Sequence, residues 1–316
     1  MNTLNERANE LCDAMVRDAE ALGIAVSMLS CGTRIIDCGI KAAGSLEAGR
    51  RLAEICLCRL GFVQILPTKN SYPTAYEVHV STRSPAAACM ASQYAGWEIK
   101  AESFFAMGSG PMRAAAGREE LFDSIGYRER PDVCVGILET SKLPPESVCI
   151  DIAEKCGIAP ERLTLCVART SSPAGTVQIV ARSVETALHK LHVLGFDLKQ
   201  VHRAEGCAPL PPLADDDLVA IGWTNDAILY GGITVLEVSG DDAFIEKIGP
   251  RVPSNSSPDY GRPFAEIFQR YGGDFYSIDP MLFSPAIVLI SNASTSTNFK
   301  YGNVAYEVLL ESFKKK

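Results

Sequence analysis

Apolar positions along the chain recur with two periods, and the periods alternate. Ile24–Leu29, Arg34–Asp37 and Phe62–Leu66 read as strands, and so does Tyr76–Thr82, where Val78 and Val80 alternate with His79 and Ser81. Val133–Leu138, Leu163–Ala168 and Ala286–Ile290 are short apolar runs of strand length. Between them lie helical patterns. Met1–Ala21 is acidic, polar and amphipathic. Ser45–Leu60 opens on a capping serine with Glu47 two residues on. Pro85–Tyr94 is small and Ala-rich, with proline at its start. Ser147–Cys156 stops at Gly157, and Thr176–Leu194, the longest amphipathic stretch, stops at Gly195. Strand and helix in alternation predict an α/β fold.

The second half reads differently. Leu218–Val238 is strand-rich and broken by two turn signals, Asn225-Asp226 and Gly231-Gly232. Helices follow at about Asp241–Ile248 and Pro263–Tyr271, around the loop Pro253–Pro258, and Asn292–Asn298 is polar and exposed or ligand-facing. Cys207–Pro212, with three prolines, is the best boundary. It divides residues 1–207, a main α/β region, from residues 208–316, a second α/β region, with sequence-discontinuous domains as the alternative. A faint echo, Ser45-x-Glu47 and Ser183-x-Glu185, each in a helix ending near a glycine, fits a duplicated strand–loop–helix unit or chance equally well.

Composition narrows the class. The 316 residues are 47% hydrophobic and 22% charged, enough apolar material for two domains or one large α/β unit. A net charge of −8 excludes a broad nucleic-acid surface, and the basic run Lys314–Lys316 reads as a solvated tail. No secretory leader or spanning segment is evident, so a cytoplasmic protein without membrane contact is expected. The 11 cysteines lie mostly in apolar segments and fit reduced thiols packed as small hydrophobes. No CxxC pair occurs. His189 and His192 are three apart, but without an HExxH pattern no metal site is expected.

Four segments could carry chemistry. In Phe104–Ala115, Gly108 and Gly110 let a backbone approach a ligand, and Arg113 could meet an anion; a tight turn before a packed helix explains the same residues. The loop Ala168–Gly175 contains Arg169, Ser171 and Ser172 and runs into a helix bearing Gln178, Arg182 and Glu185 at intervals of four and three. Those three share a helix face, suited to positioning water or equally to a solvated ion pair. Gln93, Trp97, Lys100 and Glu102 cluster near a Gly turn and could stack a flat heterocycle or form a core edge. Asn225 and Tyr230 stand at the strand–turn–strand of Gly222–Gly232, otherwise a plain hairpin.

Taken together, Ser92–Trp97, Ala106–Ala114, Ala168–Gly175 leading to Gln178-x-x-Ala181-Arg182-x-x-Glu185-Thr186, and Asn225-Asp226-x-x-x-Tyr230-Gly231-Gly232 resemble the methenyltetrahydromethanopterin cyclohydrolases over nearly the whole chain. The resemblance implies an α/β, mixed-sheet, two-domain fold with a cleft and a homotrimer. It implies reversible, metal-free hydrolysis of 5,10-methenyltetrahydromethanopterin to the 5-formyl form, in methylotrophic oxidation or in methanogenesis. The pterin is then a substrate and no cofactor is implied. The family's catalytic Glu and Arg fall on Glu185 and Arg182.

The chemistry agrees. A methenyl bridge between two nitrogens is an amidinium-like cation whose carbon is already electrophilic, so a Lewis acid is unnecessary. A carboxylate can take a proton from the attacking water, and an adjacent arginine can align both. The rival readings are a small-molecule kinase using the Gly108–Ala116 loop and a non-catalytic pterin-binding protein.

Overall fold

The computed structural model describes residues 2–68, 72–274 and 277–314; Lys315 and Lys316 of the basic tail lie outside them. In chain order the first elements are α1 (Leu4–Arg17), α2 (Ala19–Leu22), β1 (Ala25–Met28), β2 (Arg34–Asp37), α3 (Leu46–Cys56), β3 (Gly61–Pro67) and β4 (Tyr76–Thr82). A π-helix, Ala86–Gln93, precedes β5 (Trp97–Ala101), β6 (Phe104–Ser109), α4 (Met112–Ala116), α5 (Leu121–Ile125), β7 (Cys134–Glu139) and α6 (Glu146–Cys156). Next come β8 (Leu163–Ala168), α7 (Pro173–Val180), α8 (Ser183–Val193), β9 (Val201–Pro209), α9 (Asp217–Gly231) and β10 (Ile233–Val238). The chain ends with α10 (Asp242–Ile248), α11 (Phe264–Arg270), β11 (Ile287–Asn292), β12 (Thr297–Gly302) and α12 (Tyr306–Ser312).

The chain forms two discontinuous units, Met1–Phe62 with Ala87–Gln178, and Val63–Ala86 with Ile179–Lys316. Each is built on a six-stranded mixed sheet. In the first unit the order is β1-β2-β8-β7-β6-β5. Its centre is parallel: β2 pairs with β8 and β8 with β7, while β6 pairs antiparallel with β7 and β5 with β6. Ile35, Leu138, Leu165 and Val167 pack with Val148, Cys149 and Ile152 of α6 in its core. The α1 helix is started by Thr3 and Glu6, which cap one another's backbone groups. Asn5 of α1 is buried, accepting from the Val135 amide and donating to the Pro111 carbonyl.

In the second unit the order is β12-β11-β10-β9-β4-β3. Here β10 and β11 pair parallel, while β9 runs antiparallel to both β10 and β4 and β12 antiparallel to β11. One face of β9 receives α8, since a Cβ added at Gly206 would lie 2.5 Å from the Ser183 hydroxyl. The far end of α8 is held by buried Lys190, which donates to the Met281 carbonyl and to Ser256 Oγ; burial lowers its pKa to about 8.

Several expectations are corrected. Leu218–Val238 is not a strand–turn–strand: α9 occupies Asp217–Gly231 and only β10 is strand. Asp216 caps α9, accepting from the Val219 amide. The helix is buried along most of its length and lacks a polar stripe, so its period was invisible, and Asn225-Asp226 sit within it rather than at a turn. Cys207–Pro209 is no linker either; these residues end β9 and pair with β4, Cys207 pairing with β10 as well. The Ala-rich stretch 85–94 forms a π-helix, and the polar run from Asn292 leads into β12. All 11 cysteines are unbridged, and burial raises thiols such as Cys149, to about 12. Among the described residues no helix is long and apolar enough to cross a membrane.

Candidate active site

The parallel strands β2, β8 and β7 end together, and the loops that follow them are built by their own polar groups. Asp37, the last residue of β2, accepts from the amides of Gly39, Ile40, Lys41 and Ala42 at 2.6–3.1 Å, folding that loop around its carboxylate. After β8, Ser172 Oγ donates to the Arg169 carbonyl (2.8 Å) and accepts from the Gly175 amide (3.0 Å), which starts α7. Thr170 Oγ1 donates to Glu139 Oε1 at 2.5 Å, joining the ends of β8 and β7. Gly175 is required by contact: a Cβ there would lie 1.9 Å from the Arg169 oxygen. Ligands gather at the carboxyl ends of parallel strands in α/β sheets. The expected Arg169, Ser171 and Ser172 lie on this edge, and Gln178 is buried in α7.

The predicted single helix 176–194 is two. The Arg182 amide bonds to the Ile179 carbonyl, a tighter turn than α, and Thr186 Oγ1 donates back to the carbonyls of Arg182 and Ser183. Such back-bonding bends helices, and α8 starts afresh with Arg182 as its cap residue. Glu185 is thereby the third residue of a helix, at the end where the helix dipole favours negative charge. Arg182 Nη1 lies 3.7 Å from Glu185 Oε2. Arg182 is 7% and Glu185 5% exposed, so the pair is not the solvated surface pair that periodicity allowed.

Other expected site residues have internal partners. Arg113 is 1% exposed and holds Glu119 bidentately, with Nε at 2.8 Å and Nη2 at 2.5 Å. It also donates to the Met90 and Ser92 carbonyls and lies against the rings of Tyr94 and Phe122. An enclosed guanidinium ties the loop together, and the anion it holds is the Glu119 carboxylate of the same unit. Gly110 has φ +90°, and its amide donates to the Ser92 carbonyl, while a Cβ at Gly108 would strike Ile99 and Met112. The glycines thus serve packing, and the following helix α4 has only five residues, so the phosphate-loop geometry of the kinase reading is missing here.

Gln93 is fully buried at the end of the π-helix. Lys100 is exposed on β5, paired with Glu98 and set over the Phe105 ring. Tyr230 is buried in α9, donating to the Arg262 carbonyl at 2.5 Å, and Asn225 donates to the Ile221 carbonyl one turn back. Both bonds are internal to the second unit, a consequence of helix where a turn was expected.

Sequence reading missed Asp37, Glu139 and Thr170, whose signal was their position at or just past apolar strand ends. It also missed a group that could hold a metal ion: Glu77, His79 and Cys207 present ligand atoms within 4.8 Å of one another. The spacing Glu77-x-His79 on a strand was legible; Cys207 joins them only through the pairing of β4 with β9.

A family model described as Cyclohydrolase (MCH) matches residues 3–313. A methenyltetrahydromethanopterin cyclohydrolase of Methylobacillus flagellatus is 46% identical over 311 residues, covering 98% of this chain and 95% of its own length. Proteins of the same name from Xanthobacter autotrophicus (48% over 303 residues, 96% and 90% covered) and Methanocaldococcus jannaschii (40% over 317 residues, 99% and 98%) are also similar. The chain therefore belongs to the MCH family of cyclohydrolases.

Proposed function

We propose that the protein reversibly hydrolyses 5,10-methenyltetrahydromethanopterin to the 5-formyl compound, with Glu185 as the proton acceptor and Arg182 positioning it. The observation that carries the residue assignment is the buried Arg182–Glu185 pair at the start of α8. A carboxylate and guanidinium out of bulk water act on a proton far more selectively than an exposed pair does.

Water attacks the bridging carbon of the amidinium-like cation and loses one proton to Glu185. The resulting tetrahedral adduct expels N10 as the C–N10 bond breaks. The hydroxyl proton leaves as the formyl C=O forms, N10 takes up a proton, and one proton is released to solvent overall. In reverse, protonated Glu185 helps hydroxide depart as water. Arg182 keeps the carboxylate aligned and compensates its charge in the buried setting. The cationic carbon needs no Lewis acid, so this reading has no metal step and no cofactor.

Arg169, Ser171, Ser172 and Gln178, on the strand edge and in α7, are our candidates for holding the pterin. Cytoplasmic location and a homotrimer belong to the same reading. The test is loss of the methenyl chromophore on mixing purified protein with substrate. Binding without loss of absorbance would favour a carrier and overturn it.

A further inference from the structure

Strands β4 and β9 run antiparallel with His79 directly opposite Cys207 and Val80 opposite Gly206. Successive residues of a strand face opposite sides of its sheet. Gly206 faces α8, with Ser183 against it, so Cys207 faces the other side. On that side Pro209, two residues on, meets Gly231 at the end of α9. Directly opposed His79 and Cys207 share this face, and Glu77, two residues before His79, shares it too.

Three different donors converge there. His79 Nε2 is 3.0 Å from Glu77 Oε2, and all three ligand atoms lie within 4.8 Å of one another. Tetrahedral zinc, bound at about 2.0–2.3 Å, needs its ligand atoms roughly 3.3–3.8 Å apart, so small side-chain rotations close the set. Glu77 is buried, and a buried carboxylate is held by a counter-charge or by a metal. Its second oxygen, Oε1, accepts from Thr68 Oγ1 at 2.7 Å, the kind of outer partner that orients a ligating carboxylate. His79 and Cys207 are partly exposed, leaving an approach for an ion and a place for a water as fourth ligand.

We propose that Glu77, His79 and Cys207 form a binding site for one divalent transition-metal ion of the zinc class, on the face of the second sheet opposite α8. One thiolate, one imidazole and one carboxylate make an S, N, O set that suits Zn²⁺ or Co²⁺ and disfavours Mg²⁺ and Ca²⁺, which take oxygen ligands. Binding displaces the thiol proton to solvent and leaves a neutral Zn²⁺–Glu⁻–Cys⁻ assembly. The ion would clamp β4 to β9 and takes no part in the reaction proposed for α8.

The test is a titration of the purified full chain with Co²⁺ after treatment with chelator. One equivalent should produce a thiolate-to-cobalt charge-transfer band in the near ultraviolet with visible bands of tetrahedral cobalt, and Zn²⁺ should bleach both. Cys207→Ser should abolish the charge-transfer band, while Cys31→Ser, at the other partly exposed thiol, should retain it. His79→Gln keeps the thiol but should weaken binding by about 100-fold or more, which keeps the test decisive should Cys207→Ser not fold. Absence of the band in the wild-type chain, or its persistence in Cys207→Ser, overturns the proposal. Neither readout depends on turnover, so its failure leaves the cyclohydrolase reading untouched.

Discussion

Arg182 caps α8 and Glu185 lies in its first turn, and their charged groups meet at 3.7 Å with both side chains buried. Had the helix run on unbroken, Glu185 would lie mid-helix, away from the positive end of the α8 dipole. Glu185→Gln should therefore lower kcat by about 100-fold or more, the usual contribution of a general base, and leave pterin binding intact. Stopped-flow turnover beside equilibrium binding checks this; retention of a tenth of kcat would reject Glu185 as the base.

Arg113 now carries a stability prediction. Arg113→Ala strands Glu119 and two backbone carbonyls and empties the space between two rings, so unfolding free energy should drop by about 3–5 kcal/mol. Arg113→Lys should recover only a minor part, because an ammonium cannot reproduce the two-pronged contact. Urea denaturation measures both. A raised KM with unchanged stability would instead mark Arg113 as a substrate contact.

Asp226 is wholly buried in α9, accepting from the Phe264 amide and from Ser312 Oγ, and so ties α11 and α12 to that helix. Burial is the main cause raising its pKa from 3.8 to about 7. With the folded value above the unfolded one, the group's stabilising contribution is complete below about pH 4 and is lost as pH rises to about 7. The loss is on the order of 4 kcal/mol in all. Asp226→Asn can accept from the Phe264 amide through its oxygen and donate through its nitrogen to Ser312 Oγ without titrating, so its stability relative to wild type should rise between about pH 5 and about pH 7.5. Parallel melts of the two proteins would show it, and a pH-independent difference would sink the idea.

Gly175→Ala should cost about 1–3 kcal/mol or more, since its methyl group overlaps the Arg169 oxygen and the loop must open to admit it. Because that loop carries Arg169, Ser171 and Ser172, KM for the pterin should rise as well. Thermal melts and steady-state kinetics test the two together; a wild-type melting temperature would mean the loop relaxes freely.

Much of the fold was legible in the sequence because period and punctuation agreed locally. Tyr76–Thr82 and Leu163–Ala168 have the strand ends their patterns implied, Ser45 caps α3, and Gly157 closes α6 in the left-handed region. The Arg182/Glu185 spacing was visible for the same reason, being short and helical. Failures came where burial erased the pattern, as in α9, or where pairing alone makes a strand. Polar β12 was missed because its order comes from β11.

The sequence by itself determined the α/β alternation, the unbridged buried thiols and the motifs that mark the cyclohydrolase family, all properties of neighbours within a few turns of chain. Tertiary structure decided the rest. It split the expected 176–194 helix at Arg182, enclosed Arg113 against Glu119 and buried Glu185. It interleaved the chain into two units at residues 62–63, 86–87 and 178–179, and set Cys207 opposite His79, 128 positions away (207 − 79). Desolvation, register and enclosure arise only when distant segments meet, and no local pattern records which segments those are.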